Sequence, residues 1–331
     1  MHDLEKGKIL VTGGAGFIGS AIIWTLNQLG FENIVVTDLL DRDGKWRNLV
    51  PLQFSDYLES NQFRKILIQD KHHLGDIRTV FHMEACANTA ETDASYLIER
   101  NYEYSRLLAH WALKNDARYL YASSAATYGK EENSMVDRTE AISELRPLNM
   151  YAYSKQMFDL YAQRNGMLNR ITGLKFFNIF GPNENHKGEM RSVVHKAFQQ
   201  IGDTGTMELF KSHREEYDDG KQKRDFLYVK DAVKMALHLA ENDANGIYNI
   251  GSGEANSWID LVNPIFEEMG ITPNIKFVEM PQSLRENYQY YTQAEIGKLR
   301  STGYKTPVTP LQDAVKETVR DYLTQDKRLG E

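Results

Sequence analysis

The stretch KILVTGGAGFIGS at residues 8–20 constrains the fold of this chain more than any other. Residues 9–11 form a short apolar run that is typical of a buried parallel strand. Gly13, Gly16 and Gly19 follow with GxxGxxG spacing, and apolar residues at helical spacing come after them. A glycine turn between a strand and a helix N-terminus lets backbone N–H groups approach a pyrophosphate, so the stretch predicts a dinucleotide site. The alternative, a tight turn without a ligand, leaves the clustering of glycines unexplained.

A second strand pattern at residues 34–37 ends at an acidic residue, Asp38. A carboxylate there can accept hydrogen bonds from the ribose hydroxyls of an adenosine, which favours NAD. The following loop carries Arg42, Lys45 and Arg47, cations that can hold a ribose 2′-phosphate and so favour NADP. A surface loop without ligand contacts is a third interpretation of these charges. We expect NADP, with Arg42 and Lys45 as its contacts, and NAD as the alternative.

Composition excludes several classes of protein. The 331 residues are 41% hydrophobic and 26% charged, as in an ordinary globular chain, and the net charge of -7 does not fit a broad nucleic-acid surface. No apolar run approaches the roughly 20 residues of a membrane span. The single cysteine suits a reducing compartment, so we expect a cytoplasmic protein. The nine histidines lack zinc-type spacing, so no metal is expected, and His72 and His73 are interpreted as surface residues.

Strand and helix patterns alternate along the first half of the chain. They predict an α/β fold of Rossmann type, with a doubly wound parallel sheet and a smaller C-terminal α/β substrate-binding lobe. We assign residues 1–178 and 224–254 to the dinucleotide-binding domain and residues 179–223 and 255–331 to the lobe. Further strands are predicted at 78–82, 118–122, 171–177, 224–229, 247–250 and 275–278, and further helices at 95–114, from 151, and at 193–201, 231–240, 258–269 and 310–323.

Chemistry in an open α/β sheet collects at the carboxyl ends of the strands. The strand at 118–122 delivers Ser123 and Ser124 to this edge, and a later helix opens with Tyr151 and Lys155. Four residues apart, this tyrosine and lysine share one helix face. Alone such a pair is usually surface decoration, but after a dinucleotide turn and a Ser-Ser strand end we interpret it as catalytic.

Residues 83–87, MEACA, follow the strand at 78–82 and leave room for a cofactor to cross the sheet edge. Cys86 is interpreted as a packing residue rather than a nucleophile, since no histidine or carboxylate partner is evident. Asn101, on the helix at 95–114, is either a cofactor contact or a polar surface residue.

Five motifs together resemble the extended short-chain dehydrogenase/reductase superfamily: TGGAGFIG, SSAATYG, YxxxK, FFNIFGP and RDFLYVKD. Within it the chain is most similar to the heptose 6-epimerases, through EACAN, YASSAATYG, YAYSK, GPNENHKGEM and YQYYTQAEIGKLRSTGY. This resemblance implies an NADP-dependent isomerase that acts on ADP-heptose for lipopolysaccharide synthesis, as a homo-oligomer and, as in that family, a homopentamer. It implies no nucleic-acid or membrane partner. The alternatives are a UDP-hexose 4-epimerase, a GDP-heptose epimerase, or a cofactor-sensing regulator, against which the intact Tyr–Lys pair argues.

The resemblance also assigns roles to residues. Tyr151 is implied as the catalytic acid/base, Lys155 as the residue that holds the cofactor ribose and lowers the tyrosine pKa, and Lys187 as a second base opposite Tyr151. Ser124 is expected to bind the reacting hydroxyl, with Ser123 as the competing candidate. The implied cofactor contacts are Gly13, Gly16, Phe17, Ile18, Gly19, Asp38, Leu39, Lys45, Met83, Ala85, Cys86, Asn101, Tyr151, Lys155 and Lys187. The implied substrate contacts are Ser124, Asn178, Glu189, Lys196, Phe210, Lys211, Ser212, His213, Arg224 and Tyr288.

The sequence departs from its relatives at several places. Ala125 and Ala126 stand where sugar-nucleotide dehydratases carry an Asp-Glu pair, which argues for epimerisation over dehydration. Near Ser60 the heptose epimerases carry a second cation for the 2′-phosphate, and Glu189 replaces a substrate-binding serine. The charged stretch at 213–223, predicted as an exposed loop, is longer than in the family.

Overall fold

The computed structural model describes residues 2–69, 74–130, 135–285 and 288–331, so His72 and His73 lie outside the described residues. Its strands are β1 (Lys8–Thr12), β2 (Ile34–Asp38), β3 (Asp56–Glu59), β4 (Ile77–His82), β5 (Arg118–Ser124), β6 (Ile171–Phe176), β7 (Asn178–Phe180), β8 (Met207–Phe210), β9 (Lys223–Arg224), β10 (Phe226–Tyr228), β11 (Gly246–Ile250), β12 (Asn256–Ser257) and β13 (Ile275–Val278). Its α-helices are α1 (Phe17–Gln28), α2 (Ser60–Ile68), α3 (Ala94–Leu97), α4 (Tyr104–Lys114), α5 (Met150–Arg164), α6 (Val193–Thr204), α7 (Val229–Glu241), α8 (Trp258–Glu268), α9 (Gln282–Arg285), α10 (Gly297–Ser301) and α11 (Leu311–Glu317). Two π-helical segments, Ile98–Glu103 and Thr318–Leu323, continue α3 into α4 and extend α11.

Seven parallel strands form the central sheet in the order β11-β6-β5-β4-β1-β2-β3. Val11 of β1 pairs with Val36 of β2 on one side and with Phe81 of β4 on the other. The chain moves outward in both directions from β1, and ligands of such sheets bind at the carboxyl ends of the strands where this switch occurs. The predicted Rossmann-type fold is confirmed.

Both faces of the sheet are covered by helices, which is why its strands read as nearly continuous apolar runs. Val11 packs with Ile22 and Ile23 of α1 and with α7 on one face, whereas Leu10 faces the other core, with Leu108 of α4 and Phe158 of α5. These neighbouring residues of β1 point in opposite directions because side chains alternate along a strand.

Three short strand pairs lie outside the central sheet in the described part of the chain. β7 pairs with β10, β9 with β12, and β8 with β13. The predicted strand at 224–229 is divided into β9 and β10 at Asp225, whose buried carboxylate accepts N–H hydrogen bonds from Ser252, Gly253 and Ala294. The division into two domains stays a prediction. Across the described ranges, no helix is long and apolar enough to cross a bilayer.

Candidate active site

A cavity of about 530 Å³ opens at the carboxyl edge of the sheet, where the smaller lobe meets it. This is the volume range of small-ligand sites. Its wall contains most of the residues that the sequence marks as catalytic together with several predicted cofactor contacts: Phe17, Ile18, Met83, Ala85, Ser124, Tyr151, Lys155, Asn178 and Lys187.

The glycine turn has the geometry that a pyrophosphate requires. Gly13 has a φ of 66°, and a Cβ placed on it would lie 2.7 Å from the backbone nitrogen of Glu84. Gly16 starts α1 without a capping side chain, and a Cβ on it would meet only the carbonyl oxygen of Gly13, at 3.1 Å. The N–H groups of the first turn of α1 therefore have space in front of them and a helix dipole behind them. These residues fit a dinucleotide.

Asp38 and Lys45 form the expected adenosine end of the site. Asp38 is 2% exposed, its Oδ2 accepts the Ala15 N–H at 2.9 Å, and its Oδ1 accepts the Leu39 N–H at 2.7 Å. Lys45 Nζ lies 3.0 Å from the same Oδ1. The carboxylate thus stands at the end of β2 as predicted, with a cation beside it, while Arg42 is exposed.

Asn101 does not reach into the cavity, contrary to the expected cofactor contact. It is 1% exposed, and its Oδ1 accepts the Cys86 N–H at 2.9 Å. Its Nδ2 donates to the Cys86 carbonyl at 3.0 Å and to Ser154 Oγ at 2.9 Å. All its polar atoms are used within the protein, so Asn101 holds the 83–87 loop against α5 and positions the cofactor wall from behind.

Tyr151 and Ser124 meet on the cavity wall. Burial raises the pKa of the Tyr151 phenol, and a hydrogen bond with Ser124 opposes that rise. Ser123 points elsewhere, because its Oγ donates to the buried carboxylate of Asp159 at 2.8 Å. This arrangement supports Ser124, rather than Ser123, as the partner of the reacting hydroxyl.

Lys155 lies on the wall of the same cavity, and its Nζ donates to the Ala122 carbonyl at 2.9 Å. Its expected effect on the pKa of Tyr151 stays a prediction. Burial lowers the pKa of Lys155 itself to about 8, and the Asp159 carboxylate opposes this. Beneath the pair, Asp159 also binds Lys175 Nζ at 2.7 Å, so an ion pair under the sheet edge fixes α5.

Lys187 lies in a 3-10 segment, Asn185–Met190, on the lobe side of the cavity. Its Nζ lies 4.0 Å from Glu184 Oε2 and 5.0 Å from the centroid of the Phe17 ring. Burial lowers the pKa of Lys187, and the charge of Glu184 opposes this. A lysine ammonium is therefore held between a carboxylate and the aromatic residue that starts α1.

Arg224 and Tyr288 both contact Trp258, a residue to which the sequence analysis gave no role at the site. The Arg224 guanidinium lies 5.0 Å from the Tyr288 ring and 5.6 Å from that of Trp258, whose Nε1 donates to Tyr288 Oη at 2.8 Å. Trp258 itself lines the cavity. A buried cation packed on aromatic faces suits a diphosphate with an attached ring.

The other predicted substrate contacts lie further out. Glu189 has a side chain that is 94% exposed and pairs with Lys196 Nζ at 3.5 Å. Lys211 pairs with Glu279, and the His213 N–H donates to Tyr290 Oη at 3.0 Å. Within the described part of the chain, the cavity wall includes neither Lys196 and Glu189 nor residues 210–213. It does include Asn149, Gln289 and Thr292, to which the sequence analysis gave no role, although Gln289 and Thr292 lie in the motif at 288–304. Among the described residues, no group of three or more histidines, cysteines or carboxylates could hold a metal.

Comparison with known proteins matches this chain to the NAD dependent epimerase/dehydratase family over residues 9–251. The chain is 48% identical over 315 residues to the ADP-L-glycero-D-manno-heptose-6-epimerase of Nitratidesulfovibrio vulgaris, across 95% of this chain and 97% of the relative. The protein of the same name from Fusobacterium nucleatum is 40% identical over 328 residues, across 96% and 98%.

Solved structures show the same fold. The ADP-L-glycero-D-manno-heptose-6-epimerase of Helicobacter pylori aligns with a TM-score of 0.81 at 25% identity, over 97% of this chain and 98% of that one. UDP-glucose 4-epimerase from Thermotoga maritima aligns with a TM-score of 0.80 at 24% identity, over 97% and 100%, so the fold alone does not separate two kinds of epimerase. Sequence identity does separate them, because the two relatives at 48% and 40% identity are both ADP-L-glycero-D-manno-heptose-6-epimerases, whereas this 4-epimerase is 24% identical. The resemblance is thus confirmed: the chain belongs to the NAD dependent epimerase/dehydratase family and, within it, to the ADP-L-glycero-D-manno-heptose-6-epimerases.

Proposed function

We propose that the chain interconverts ADP-D-glycero-D-manno-heptose and ADP-L-glycero-D-manno-heptose at C6, as a cytoplasmic homo-oligomer that supplies heptose for lipopolysaccharide. One observation carries the chemistry: Tyr151 with Ser124 and Lys187 line one cavity at the sheet edge. Two groups able to exchange protons, from the sheet side and from the lobe side, suit a reaction that must treat both faces of one carbon. Ala125 and Ala126 leave no carboxylates there for dehydration.

The glycine turn and Asp38 would hold a nicotinamide dinucleotide, which would supply the hydride transfer from C6 and back to its opposite face. Tyr151 exchanges the C6 hydroxyl proton for one epimer, and Ser124, on the same cavity wall, binds and orients that hydroxyl. Lys187 exchanges the proton for the other epimer. Lys155 supplies positive charge near the wall and, with its lowered pKa of about 8, a donor for a ribose hydroxyl.

Both dinucleotides are candidates on the sequence. Lys45 supports NADP, because its ammonium lies in the half-buried loop beside the expected ribose position. Asp38 supports NAD, because its carboxylate lies at the end of β2, where ribose hydroxyls bind in this fold. Family membership establishes a nicotinamide dinucleotide and leaves open its 2′-phosphate.

The test compares Tyr151→Phe, Lys187→Met and the double variant in two assays, epimerisation and dismutation of an aldehyde analogue. Each single variant is expected to lose about 10²–10⁴-fold in epimerisation, since a positioned acid or base is missing. Each is expected to retain dismutation, for which one base suffices, and the double variant to lose both activities. Solvent deuterium should not enter C6, because the hydrogen travels on the cofactor.

Tyr153→Phe and Lys305→Met are matched controls, because both side chains are exposed and neither lies on the cavity wall. Full epimerase activity in Lys187→Met would contradict the two-base scheme. It would leave Tyr151 as the one acid/base for both faces, the scheme expected of a UDP-hexose 4-epimerase.

A further inference from the structure

Glu84, which follows β4, carries a buried carboxyl oxygen without a hydrogen-bond partner among the described residues. Glu84 Oε1 accepts a hydrogen bond from Ser60 Oγ at 2.5 Å, and Arg100 lies 3.8 Å away, whereas Oε2 is buried and unpartnered. Tyr104 is buried beside it and interacts with the hydroxyl groups of Thr37 and Ser60. Buried polar atoms are almost always hydrogen-bonded, so the unpartnered Oε2 of Glu84 calls for a functional explanation.

Glu84 lies beside the two residues that define the dinucleotide site. Its backbone nitrogen is what a Cβ on Gly13 would strike, and its carboxyl group interacts electrostatically with Asp38 and Lys45. Ser60, at the start of α2, holds the carboxyl group in this place from the side of β3. The adenosine ribose of a dinucleotide lies over this part of the sheet edge, next to the acidic residue that ends β2.

The charges at this edge do not suit an added phosphate. Lys45 is the cation near the ribose position, and Asp38 already binds it at 3.0 Å. Arg100 points its guanidinium toward Glu84. A 2′-phosphate brings nearly two negative charges, which would face the carboxyl groups of Asp38 and Glu84, and the cations beside them, Lys45 and Arg100, already pair with these carboxyl groups.

We propose that Glu84, held in place by Ser60, makes this site select NAD over NADP. This reverses the expectation based on Arg42 and Lys45. The inference rests on the proposed dinucleotide site and is independent of the sugar chemistry. Glu84 acts by repelling the 2′-phosphate, so its effect falls on NADP and leaves NAD, which carries a 2′-hydroxyl, largely unaffected.

The selection should depend on pH. Burial raises the pKa of Glu84 to about 7, so its repulsive charge appears as the pH rises through neutrality. The 2′-phosphate also ionises, near pH 6, and this contributes to the pH dependence in every variant. The charged or titratable groups that face Glu84 are Asp38, Lys45, Tyr57, Arg100 and Tyr104.

The experiment titrates nucleotide-free full-length protein with NADH and with NADPH at pH 6 and pH 8, following nicotinamide fluorescence. The wild type is expected to bind NADH more tightly, with a larger preference at pH 8. Glu84→Gln should reduce the preference at pH 8 about tenfold, the effect of one nearby charge at an intermediate dielectric. Ser60→Lys should reduce it at both pH values, because it adds a permanent cation.

Glu103→Gln is the matched control, an exposed carboxyl group in the π-helical segment that also carries Arg100, and it should leave the preference unchanged. Tighter NADPH binding by the wild type, or an unchanged preference in Glu84→Gln at pH 8, would overturn the proposal. If Glu84→Gln does not fold, Ser60→Lys tests the proposal in its place. Mass spectrometry then identifies the dinucleotide that the wild type retains, and retained NADP would contradict the preference for NAD. No sugar nucleotide is present, so failure here leaves the epimerase assignment standing.

Discussion

At the scale of single residues, the pKa of Lys187 depends on the carboxylate of Glu184. Glu184 is 1% exposed, and its carboxylate accepts hydrogen bonds from both the backbone N–H and the hydroxyl of Ser192, at 2.6 and 2.5 Å. It is therefore fixed where it faces the Lys187 ammonium. A lysine must lose its proton before it can act as a base, and a neighbouring carboxylate raises the pH at which it does so.

Glu184→Gln should therefore move the acidic limb of the pH–rate profile to lower pH. Without the opposing charge, burial lowers the pKa of Lys187 further, so the neutral amine is available at lower pH. The shift should appear for the epimer that Lys187 deprotonates and be absent for the epimer that Tyr151 deprotonates. Equal shifts for both epimers, or none, would contradict the positioning role of Glu184.

Residue identities at the site were predictable where a motif names the chemistry. Tyr151, Ser124 and Lys187 fall on one cavity wall, as their motifs predict. Glu84, Asn101 and Trp258 differ, because what they do depends on partners far along the chain. Asn101 meets Ser154 across 53 positions, and Ser60 meets Glu84 across 24. The spacing of residues in a motif does not predict contacts between residues this far apart in the sequence.

At the scale of elements, the helix that begins at Ala94 shows what periodicity can and cannot predict. Its existence follows from the apolar pattern at 95–114, but the π-helical turn at Ile98–Glu103 does not, because one wider turn leaves the average period almost unchanged. That turn carries Asn101. Similarly, β3 escaped prediction because Asp56–Glu59 lies at the sheet edge with no fully buried residue.

Asn101→Ala should lower both stability and dinucleotide affinity. It leaves the N–H and carbonyl of Cys86 without their Asn101 partners, at a cost of about 1–3 kcal/mol in the free energy of unfolding, while the Ser154 hydroxyl keeps its hydrogen bond to the Tyr151 carbonyl. It also releases the 83–87 loop from α5, so the NADH dissociation constant should rise. Urea unfolding and NADH titration measure the two effects, with Asn61→Ala, an exposed asparagine on α2, as the control. Lost stability with unchanged NADH affinity would show that the loop is positioned by other contacts.

At the scale of the whole molecule, the sheet order follows from right-handed crossovers once the strands are known, whereas the lobe does not. The lobe is joined by pairings such as Met207 with Ile275 and Arg224 with Asn256, each in a strand of two to four residues. Strands this short carry little pattern. Their pairing depends on packing against the completed sheet. The cavity at the sheet edge and its catalytic residues could therefore be expected from sequence, whereas wall residues such as Trp258 could not.

The glycine turn allows folding and ligand binding to be separated in the whole molecule. Gly16 has φ -71° and ψ 177°, which alanine adopts freely, and an added Cβ would meet only the Gly13 carbonyl oxygen, at 3.1 Å. Gly16→Ala should therefore lower the unfolding free energy of the ligand-free protein by about 1 kcal/mol or less. Its methyl group would stand where a pyrophosphate approaches the backbone, so NADH binding should weaken strongly.

Gly19→Ala should instead destabilise the ligand-free protein itself. A Cβ there would clash with the carbonyl group of Gly13, inside the protein, so the ligand-free protein should lose about 1–3 kcal/mol or more. Thermal unfolding with and without NADH compares the two variants. At a hundredfold excess over its dissociation constant, NADH adds about 2.7 kcal/mol to the stability of the wild type, and Gly16→Ala should lose most of this gain. Gly202→Ala, on α6 and in ordinary contact with Met269, is the control that should keep it. A full NADH shift in Gly16→Ala would mean that the dinucleotide does not bind across this turn.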